Sequence, residues 1–285
     1  TLKEVPRFKR IYSLASILGS GYIEIPKLKM DFGPIFSSIG FNDVEGWRLR
    51  AGGRTYFGPH DTWRIQGYTA YGFQDHQFKY GISGKWMVNN KKRIILSAGN
   101  RRDVEQIGVS LTTSNDVLGR SFASSSFFSS GVNNKLTSVN LTTFGFEIEP
   151  KKNLTFQANL SYRTLKSASS QFSLDYYTDD TYTTTKSDVT QSEINLVAEY
   201  TPGRKTVGYG VERLDVDFNY ARIFLSYSRG FKGVIDSDFQ YDKLQFFYRQ
   251  PVLIGGLGRL FMTLEVGKIF GQVPLCLMGL IPGNQ

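Results

Sequence analysis

Residues 153–163, NLTFQANLSYR, alternate strictly between apolar and polar side chains. Leu154 and Phe156 fall on one side of an extended chain, whereas Gln157 and Arg163 fall on the other. This period of two predicts a β-strand with one apolar and one polar face. In a soluble sandwich the apolar face would meet the core. In a membrane barrel it would meet lipid, and the polar face would line a wet interior.

The same alternation returns in about eleven segments, most of them near the length expected for tilted membrane strands. Residues 93–112 are interpreted as one long, bent strand. No helical periodicity competes, apart from a short amphipathic turn at 11–18. The pattern predicts an all-β fold, an antiparallel up-and-down transmembrane β-barrel over residues 21–285. Residues 1–20 form a lead-in segment that includes the short helical turn.

The connections between these segments differ in length on the two sides of the predicted sheet. The long connections 31–43, 113–137, 167–190 and 230–240 fall on one side. The other side holds short turns such as GPHDT, NNKK and PKK, with 202–217 as the exception in length. Long loops on one rim and short turns on the other are typical of outer-membrane barrels, where the long loops lie outside the cell.

Large aromatic side chains lie at or near strand ends on the apolar faces. Interfacial girdles of membrane barrels have this placement. The predicted girdle consists of Trp47, Phe57, Trp63, Phe73, Phe78 and Trp86. Together with the loop asymmetry, the girdle favours the barrel over the sandwich, so the apolar faces are expected to contact lipid and the polar faces to point inward.

The polar faces are rich in basic residues. The inward-facing set comprises Arg48, Arg50, Arg54, Arg64, Lys79, Lys85, Arg163, Arg222, Arg249 and Arg259. Such a set could favour the passage or binding of anions. Alternatively, it could pair with Asp and Glu to brace the wall without conducting anything specific. We prefer the second interpretation, because charged ladders are ordinary in barrel interiors.

Composition adds three limits. The net charge is +9 with a pI near 9.4, but the basic residues are scattered, so no nucleic-acid partner is expected. No apolar run reaches the roughly 18 residues of a transmembrane helix. Cys276 is the only cysteine, which excludes an intrachain disulfide and a multi-thiolate metal site.

An odd number of strands is unusual in single-chain bacterial barrels, where the last strand closes on the first. The final stretch, GQVPLCLMGLIPGNQ, leaves the outer rim without returning. We therefore interpret the 285 residues as an incomplete barrel. The first strand, near 21–30, and the last, near 258–268, are expected not to pair with each other.

Four blocks carry a resemblance to a known family. They are FNDVEGWRLRAGGRTYF (41–57), WRIQGYTAYGFQDHQFKYGISGKW (63–86), YSRGFKGVIDSDFQYDKLQFFYRQ (227–250) and LEVGKIFGQVP (264–274). They resemble an uncharacterised outer-membrane family of Bacteroidota, which joins a carboxypeptidase-regulatory-like N-terminal domain to a long barrel. The likeness covers nearly the whole chain and implies the outer membrane of a Gram-negative bacterium. It implies no biochemical activity. Members start earlier and continue past a GN motif, in line with an incomplete barrel.

A weaker likeness is to the BamA-type assembly and secretion barrels. Those barrels carry an Arg-Gly-Phe/Tyr tripeptide on an outer loop that folds back into the interior. Arg229, Gly230 and Phe231 match that tripeptide here. The resemblance implies that Arg229 reaches inward to a carboxylate such as Glu199 or Glu265. The simpler alternative is an arginine at a strand end followed by a turn glycine.

Catalytic and metal-binding motifs are not found. His60 and His76 are the only histidines, both in connections, and no GxSxG, HExxH or P-loop occurs. The acidic loop 175–188 carries Asp175, Asp179, Asp180 and Asp188, which could bind calcium. It lacks the alternating spacing of a calcium loop, so a solvated loop is preferred. No cofactor and no metal are expected.

The sequence therefore predicts a non-enzymatic outer-membrane β-barrel involved in outer-membrane protein handling or assembly. The alternative is a solute pore or receptor-type transport barrel with a basic interior. A third candidate, an envelope lipase or protease, would need a catalytic cluster at one rim. The expected partners are the lipid bilayer, lipopolysaccharide and other envelope proteins, with no nucleic acid.

The predicted topology can be tested by cysteine labelling. A cysteine introduced at Ser124 or Thr183, in the long loops, should react with an impermeant reagent in intact cells. One introduced at Asn90, in a short turn, should stay unlabelled until the cells are opened. Labelling at Asn90 without labelling at Ser124 would reverse the topology.

Overall fold

The computed structural model describes residues 17, 21–56, 58, 60–106, 136–169, 173–178 and 181–278. Within them the chain forms strands and short 3-10 turns, so the predicted all-β antiparallel fold is confirmed. The strands are β1 (Ile23–Ile25), β2 (Met30–Phe32), β3 (Ile39–Asn42), β4 (Gly46–Thr55), β5 (Trp63–Gly72), β6 (Phe78–Asn89), β7 (Ile94–Gln106), β8 (Leu136–Lys151), β9 (Leu154–Ser167), β10 (Tyr176–Tyr177), β11 (Thr185–Lys186), β12 (Asp188–Tyr200), β13 (Thr206–Val207), β14 (Leu214–Asp215), β15 (Arg222–Phe231), β16 (Tyr241–Leu253) and β17 (Arg259–Phe270).

One large sheet contains most of these strands, each paired with its neighbour in chain order. The order is β1-β2-β4-β5-β6-β7-β8-β9-β12-β15-β16-β17, and β3 also pairs with β4. Strands β10 and β11 form one separate hairpin, and β13 and β14 form another. An antiparallel meander of this kind needs only hairpin connections between neighbours.

The large sheet is open within the described residues. Strand β1 lies at one end of the strand order and β17 at the other, and they are not paired with each other. This agrees with the expectation that the first and last strands do not pair. The described sheet therefore has two edges, and no closed barrel is found.

The connection predicted at 31–43 is wrong. Strand β2 ends within it, Ile35–Ser37 form a 3-10 turn, and β3 follows. Strands β2 and β3 lie end to end along the same edge of β4. The alternation in each piece covers only three or four residues and is interrupted by Pro34, which lacks an N–H. Such short pieces give little periodic signal.

The two faces of the large sheet differ in both polarity and exposure. Strand β4 is representative, because Trp47 is 52% and Leu49 is 49% exposed, whereas Arg48 between them is 1% exposed. On β9, Phe156 is 44% and Leu160 is 54% exposed. The apolar side chains thus point to the outside of the sheet and the polar ones are enclosed, the reverse of a soluble sandwich.

The polar face is concave. Arg48 on β4 reaches Asp103 on β7, at 2.8 Å, although two strands separate β4 from β7. At the far end of the strand order, Leu277 follows β17 and packs in one cluster with Val139 of β8 and Leu165 of β9. Contacts between strands so far apart require the sheet to curl towards its polar side. We call the enclosed space the interior.

The connections sort onto two rims. The described connections at the long-loop rim are 43–45, 73–77, 168–169, 173–178, 181–187 and 232–240, and β7 ends and β8 begins at that rim. The described connections at the short-turn rim are 26–29, 56, 58, 60–62, 90–93, 152–153, 201–221 and 254–258. Most of the predicted loop 113–137 lies outside the described residues, as does the distal end of the predicted strand 93–112, beyond Gln106. The predicted loop 167–190 holds the hairpin of β10 and β11.

The lead-in segment 1–20, with its predicted helical turn, lies outside the described residues except for Ile17, whose carbonyl accepts a hydrogen bond from the Gly21 N–H at 2.8 Å. In the described part of the chain, no helix has the length and hydropathy required to cross a bilayer.

Candidate functional site

A buried ion-pair cluster lies in the interior at the long-loop rim. Arg48 donates to Glu45 at 2.7 Å and to both carboxylate oxygens of Asp103, at 2.8 and 3.1 Å. The Tyr68 hydroxyl donates to Asp103, and Lys79 lies 2.8 Å from Glu45. Removing one partner from such a buried pair typically costs about 3–5 kcal/mol, because the other charge is left unpaired.

The turn between β3 and β4 places Glu45 in this cluster. The side-chain oxygen of Asn42 accepts hydrogen bonds from the Val44 and Glu45 N–H groups, at 3.1 and 2.8 Å. Its side-chain nitrogen donates to the Glu45 carboxylate at 2.6 Å. An asparagine that bonds its own following backbone is a common way to fix a turn. The turn therefore positions Glu45 independently of its ion pair with Arg48.

A second cluster joins β9, β12 and β16. Arg163 donates to Glu193 at 2.9 Å, and the Tyr241 hydroxyl donates to the same carboxylate. The Tyr241 ring lies over Gly230 on the neighbouring strand, since a Cβ atom added at Gly230 would lie 2.7 Å from Cδ1 of that ring. The absent side chain of Gly230 thus makes room for Tyr241.

Small polar side chains line the interior between the two rims. Asn195 donates to the hydroxyls of Ser226 at 2.7 Å and Ser228 at 2.8 Å. On β8, a Cβ atom added at Gly145 would lie 2.7 Å from the Asn159 side-chain oxygen. These residues carry no charge, so the ion pairs are concentrated near the two rims.

A third cluster lies at the short-turn rim. Arg54 donates to Asp31 at 3.0 Å, and Arg64 lies 3.4 Å from Asp61. Arg64 also contacts Glu212, a residue of the connection between β12 and β15. Glu212 therefore ties this connection to strand β5, which lies far from β12 in the strand order.

The connection 201–221 crosses the interior at the short-turn rim. Its Val211 N–H donates to the Asp61 carbonyl at 2.7 Å, and Val211 packs in a cluster with Met87 and Ile95. Arg93 donates to the Gly210 carbonyl at 2.8 Å. This connection starts at β12 and ends at β15, so these contacts show that it spans the interior to β6 and β7.

Further ion pairs fix the same connection to the nearer strands. Arg213 lies 2.6 Å from Glu149 at the end of β8. Burial opposes the charge of Arg204, but its hydrogen bond to Asp215, at 2.6 Å, and the nearby negative charges together outweigh burial, and the pKa of Arg204 is raised. Burial and the bond to Asp215 both raise the pKa of Tyr220. We call residues 201–221 the crossing segment.

The predicted basic ladder is largely matched by carboxylates. Pairs with Asp or Glu are made by Arg48, Arg54, Arg64, Lys79, Lys85, Arg163 and Arg222. Arg50 donates to Ser37 at 2.5 Å and lies over the Tyr68 ring. Arg249 lies over the Phe261 ring at 5.4 Å, and Arg259 is exposed. This arrangement matches the wall-bracing interpretation more closely than an unpaired basic channel.

The Arg229-Gly230-Phe231 stretch lies differently from what the weaker likeness implies. Arg229 is on the exposed face of β15, and its nearest carboxylate is that of Asp242, at 3.8 Å. Glu199, one expected partner, pairs with Arg222 instead, at 2.5 Å. The period of two explains this, because Gly230 points inward and its neighbours must then point outward.

The predicted girdle residues lie at both rims on the exposed face. Trp47, Phe73 and Phe78 lie at the long-loop rim and are 50% to 74% exposed. Trp63 and Trp86 are direct cross-strand partners at the short-turn rim. Phe57 lies outside the described residues.

The candidate chemical groups do not assemble a reactive centre. His60 stacks on Tyr209, and His76 lies 3.4 Å from the Tyr71 hydroxyl. Burial raises the pKa of Cys276 to about 11, which leaves little thiolate at neutral pH.

Of the acidic-loop residues, Asp179 and Asp180 lie outside the described residues. Asp175 is exposed, and Asp188 lies 4.0 Å from Lys166. In the part of the chain that the structure describes, no three His, Cys, Asp or Glu side chains are grouped to hold a metal.

Sequence reasoning missed the carboxylates that complete the clusters and the role of the crossing segment. Glu45, Asp103, Glu193 and Glu212 come from four different parts of the chain. Asp103 and Glu193 do fall on the polar side of their strands, so the alternation itself could have indicated them. Nothing local marks Glu212, since its partner is 148 residues away.

Comparison with known proteins gives a family and no function. The profile of the C-terminal domain of a family of unknown function (DUF5686) matches residues 15–278. No curated protein matches the chain.

The packing of Tyr241 on Gly230 can be tested by a single methyl group. Gly230→Ala should destabilise the protein by about 1–3 kcal/mol, because the added Cβ must displace the Tyr241 ring from Glu193. Urea unfolding measured by tryptophan fluorescence gives the change. The control is Gly256→Ala, where a Cβ would meet nothing within 4 Å. Equal stability of the two variants would contradict the packing argument.

Proposed function

The chain belongs to the DUF5686 C-terminal-domain family, and we propose that it is a non-enzymatic β-barrel protein of the outer membrane of a Gram-negative bacterium. In this proposal the exposed apolar face contacts lipid and the concave polar face is the barrel interior. The barrel takes part in the handling or assembly of outer-membrane proteins. Lipid, lipopolysaccharide and other envelope proteins are its partners.

One observation carries the membrane assignment, the inverted burial of the large sheet. Phe144 is 59% and Trp86 is 57% exposed on the outer face, whereas Glu45 and Asp103 are at most 1% exposed on the inner one. Water would disfavour so many large exposed apolar side chains on one continuous surface. Lipid favours them, and it tolerates enclosed ion pairs behind them.

Two features of the interior favour a filled interior over an open pore. The ion-pair clusters occupy both rims, and the crossing segment spans the short-turn rim through Glu212 and Arg213. A solute pore with a basic interior is the second candidate, because Arg50 and Arg249 have no carboxylate partner in the described chain. A filled interior leaves the outer surface and the sheet edges as the parts that act on other proteins.

The non-enzymatic proposal rests on the chemistry of the available groups. Seven of the ten residues of the basic ladder pair with carboxylates, so their charges are matched within the wall. The thiol of Cys276 is held protonated by burial. Neither histidine has a carboxylate within hydrogen-bonding distance among the described contacts. These groups brace a wall and provide no activated nucleophile.

The membrane assignment can be tested with two neighbours on β9. Phe156→Arg places a charge on the exposed apolar face, and Gln157→Arg places one on the interior face, where Gln157 already donates to Glu147 at 3.2 Å. A lipid-facing arginine near the midplane should destabilise the folded protein by about 2–4 kcal/mol. The matched interior change should cost much less.

The measurement is reversible folding into phospholipid vesicles, followed by the mobility of the folded form in a gel. Both variants add the same side chain one residue apart, so each serves as the control for the other. Equal tolerance of the two changes, or greater damage from Gln157→Arg, would refute the membrane assignment.

The closed interior can be tested by releasing the crossing segment. The double variant Glu212→Gln with Arg213→Gln should raise the ion conductance of the protein in planar bilayers, because both tethers to the wall lose their charge. The control is Asp217→Asn, which removes a carboxylate of the same segment that bonds only the Asn219 N–H, at 2.9 Å. High conductance in the native protein would favour the solute-pore alternative instead.

A further inference from the structure

Exposed lysines are concentrated on the turns of the short-turn rim. Lys91 and Lys92 lie in the turn between β6 and β7, Lys151 ends β8, and Lys152 lies in the turn between β8 and β9. Lys205 follows β12. All five are exposed, and none is paired with a carboxylate of the described chain. We call these five residues the lysine collar.

Three carboxylates near the collar do not neutralise it, because they are engaged with arginines. Glu149 pairs with Arg213 at 2.6 Å, Glu212 with Arg64, and Asp215 with Arg204 at 2.6 Å. These acidic groups point into the interior, where the arginines lie. The collar side chains are exposed, so their positive charge is accessible to the surroundings.

The opposite rim is different. At the long-loop rim, Lys186 lies 2.8 Å from Asp238, and Lys166 lies 4.0 Å from Asp188. Arg229 there has Asp242 at 3.8 Å. These three basic groups each have a carboxylate within 4.0 Å, whereas the five collar lysines have none in the described chain. The short-turn rim therefore groups five exposed lysines that no described carboxylate pairs with.

The collar lies just beyond aromatic side chains of the exposed face. Trp86 is near the end of β6, and its cross-strand partner Trp63 begins β5. Tyr200 ends β12 and is 45% exposed, five residues before Lys205. In membrane proteins, aromatic side chains lie at the level of the headgroups, and lysines next to them extend to the phosphates.

We propose that the lysine collar binds the phosphates of anionic phospholipids in the leaflet at the short-turn rim. This inference rests on the proposed membrane location and adds a lipid class and a side to it. Each lysine near an anionic membrane surface increases the binding affinity by about fivefold. An acidic protein would match the charge too, but the continuity of the collar with exposed tryptophans favours lipid.

The native tryptophans provide the test. The chain has 3 tryptophans, and Trp47 lies at the long-loop rim, so the intact protein carrying Trp47→Phe reports from Trp63 and Trp86 alone. The protein is reconstituted into phosphatidylcholine vesicles containing either brominated phosphatidylglycerol or brominated phosphatidylcholine. Brominated phosphatidylglycerol should quench the fluorescence more strongly, with a preference of about fivefold or more.

The collar variant is Lys91→Gln with Lys92→Gln, which removes the two collar lysines closest in sequence to Trp86. It should lose most of this preference. The matched control is Lys166→Gln with Lys232→Gln, which removes two exposed lysines from the long-loop rim and should keep the preference. Quenching by brominated phosphatidylcholine shows that each variant is inserted.

Three results would overturn the proposal, and they are distinguishable. Equal quenching by both lipids in the protein that retains all five collar lysines would refute anionic-lipid binding while leaving the membrane location intact. An unchanged preference in the collar variant would assign the lipid to other residues. Quenching by neither lipid would refute the membrane location itself, and the collar proposal with it.

Discussion

The burial of charged side chains on the concave face of one antiparallel sheet is the constraint on which the rest of the structure depends. An unpaired charge there would cost several kcal/mol, so each arginine that points inward needs a carboxylate or an aromatic ring. Arg48 with Asp103 and Arg163 with Glu193 meet that need from different strands. The first pair holds the non-neighbouring strands β4 and β7 at a distance that keeps the sheet curled, and the second joins the neighbouring strands β9 and β12.

The crossing segment follows from the same constraint. Glu212 and Arg213 are adjacent in sequence, yet they pair with residues on two different strands, Arg64 on β5 and Glu149 on β8. A segment anchored in this way covers the short-turn rim. It also shields both members of each ion pair from water. Its length, out of proportion for a turn on that rim, is explained by the distance that it spans.

The outer face is subject to the opposite demand. With the charges enclosed, the outer positions are left to large apolar residues such as Trp86 and Leu160, more than half exposed. A bilayer is the surrounding that stabilises this arrangement, and it is the basis of the proposed location. In that proposal the unmatched lysines at the short-turn rim lie at the level of the headgroup phosphates.

The sequence by itself determined the all-β fold, the rim of most of the described connections and the face on which Phe156 or Gln157 lies. A period of two is a local property, and it sets the direction of each side chain once the chain is extended. The short strands β2 and β3 were not predicted, because three or four residues are too few to show an alternation.

Only the tertiary structure decided which carboxylate meets which arginine and how residues 201–221 are used. Those contacts depend on the curvature of the whole sheet, which brings β4 to β7 and Glu212 to Arg64 across 148 residues of chain. No pattern within one strand encodes that distance.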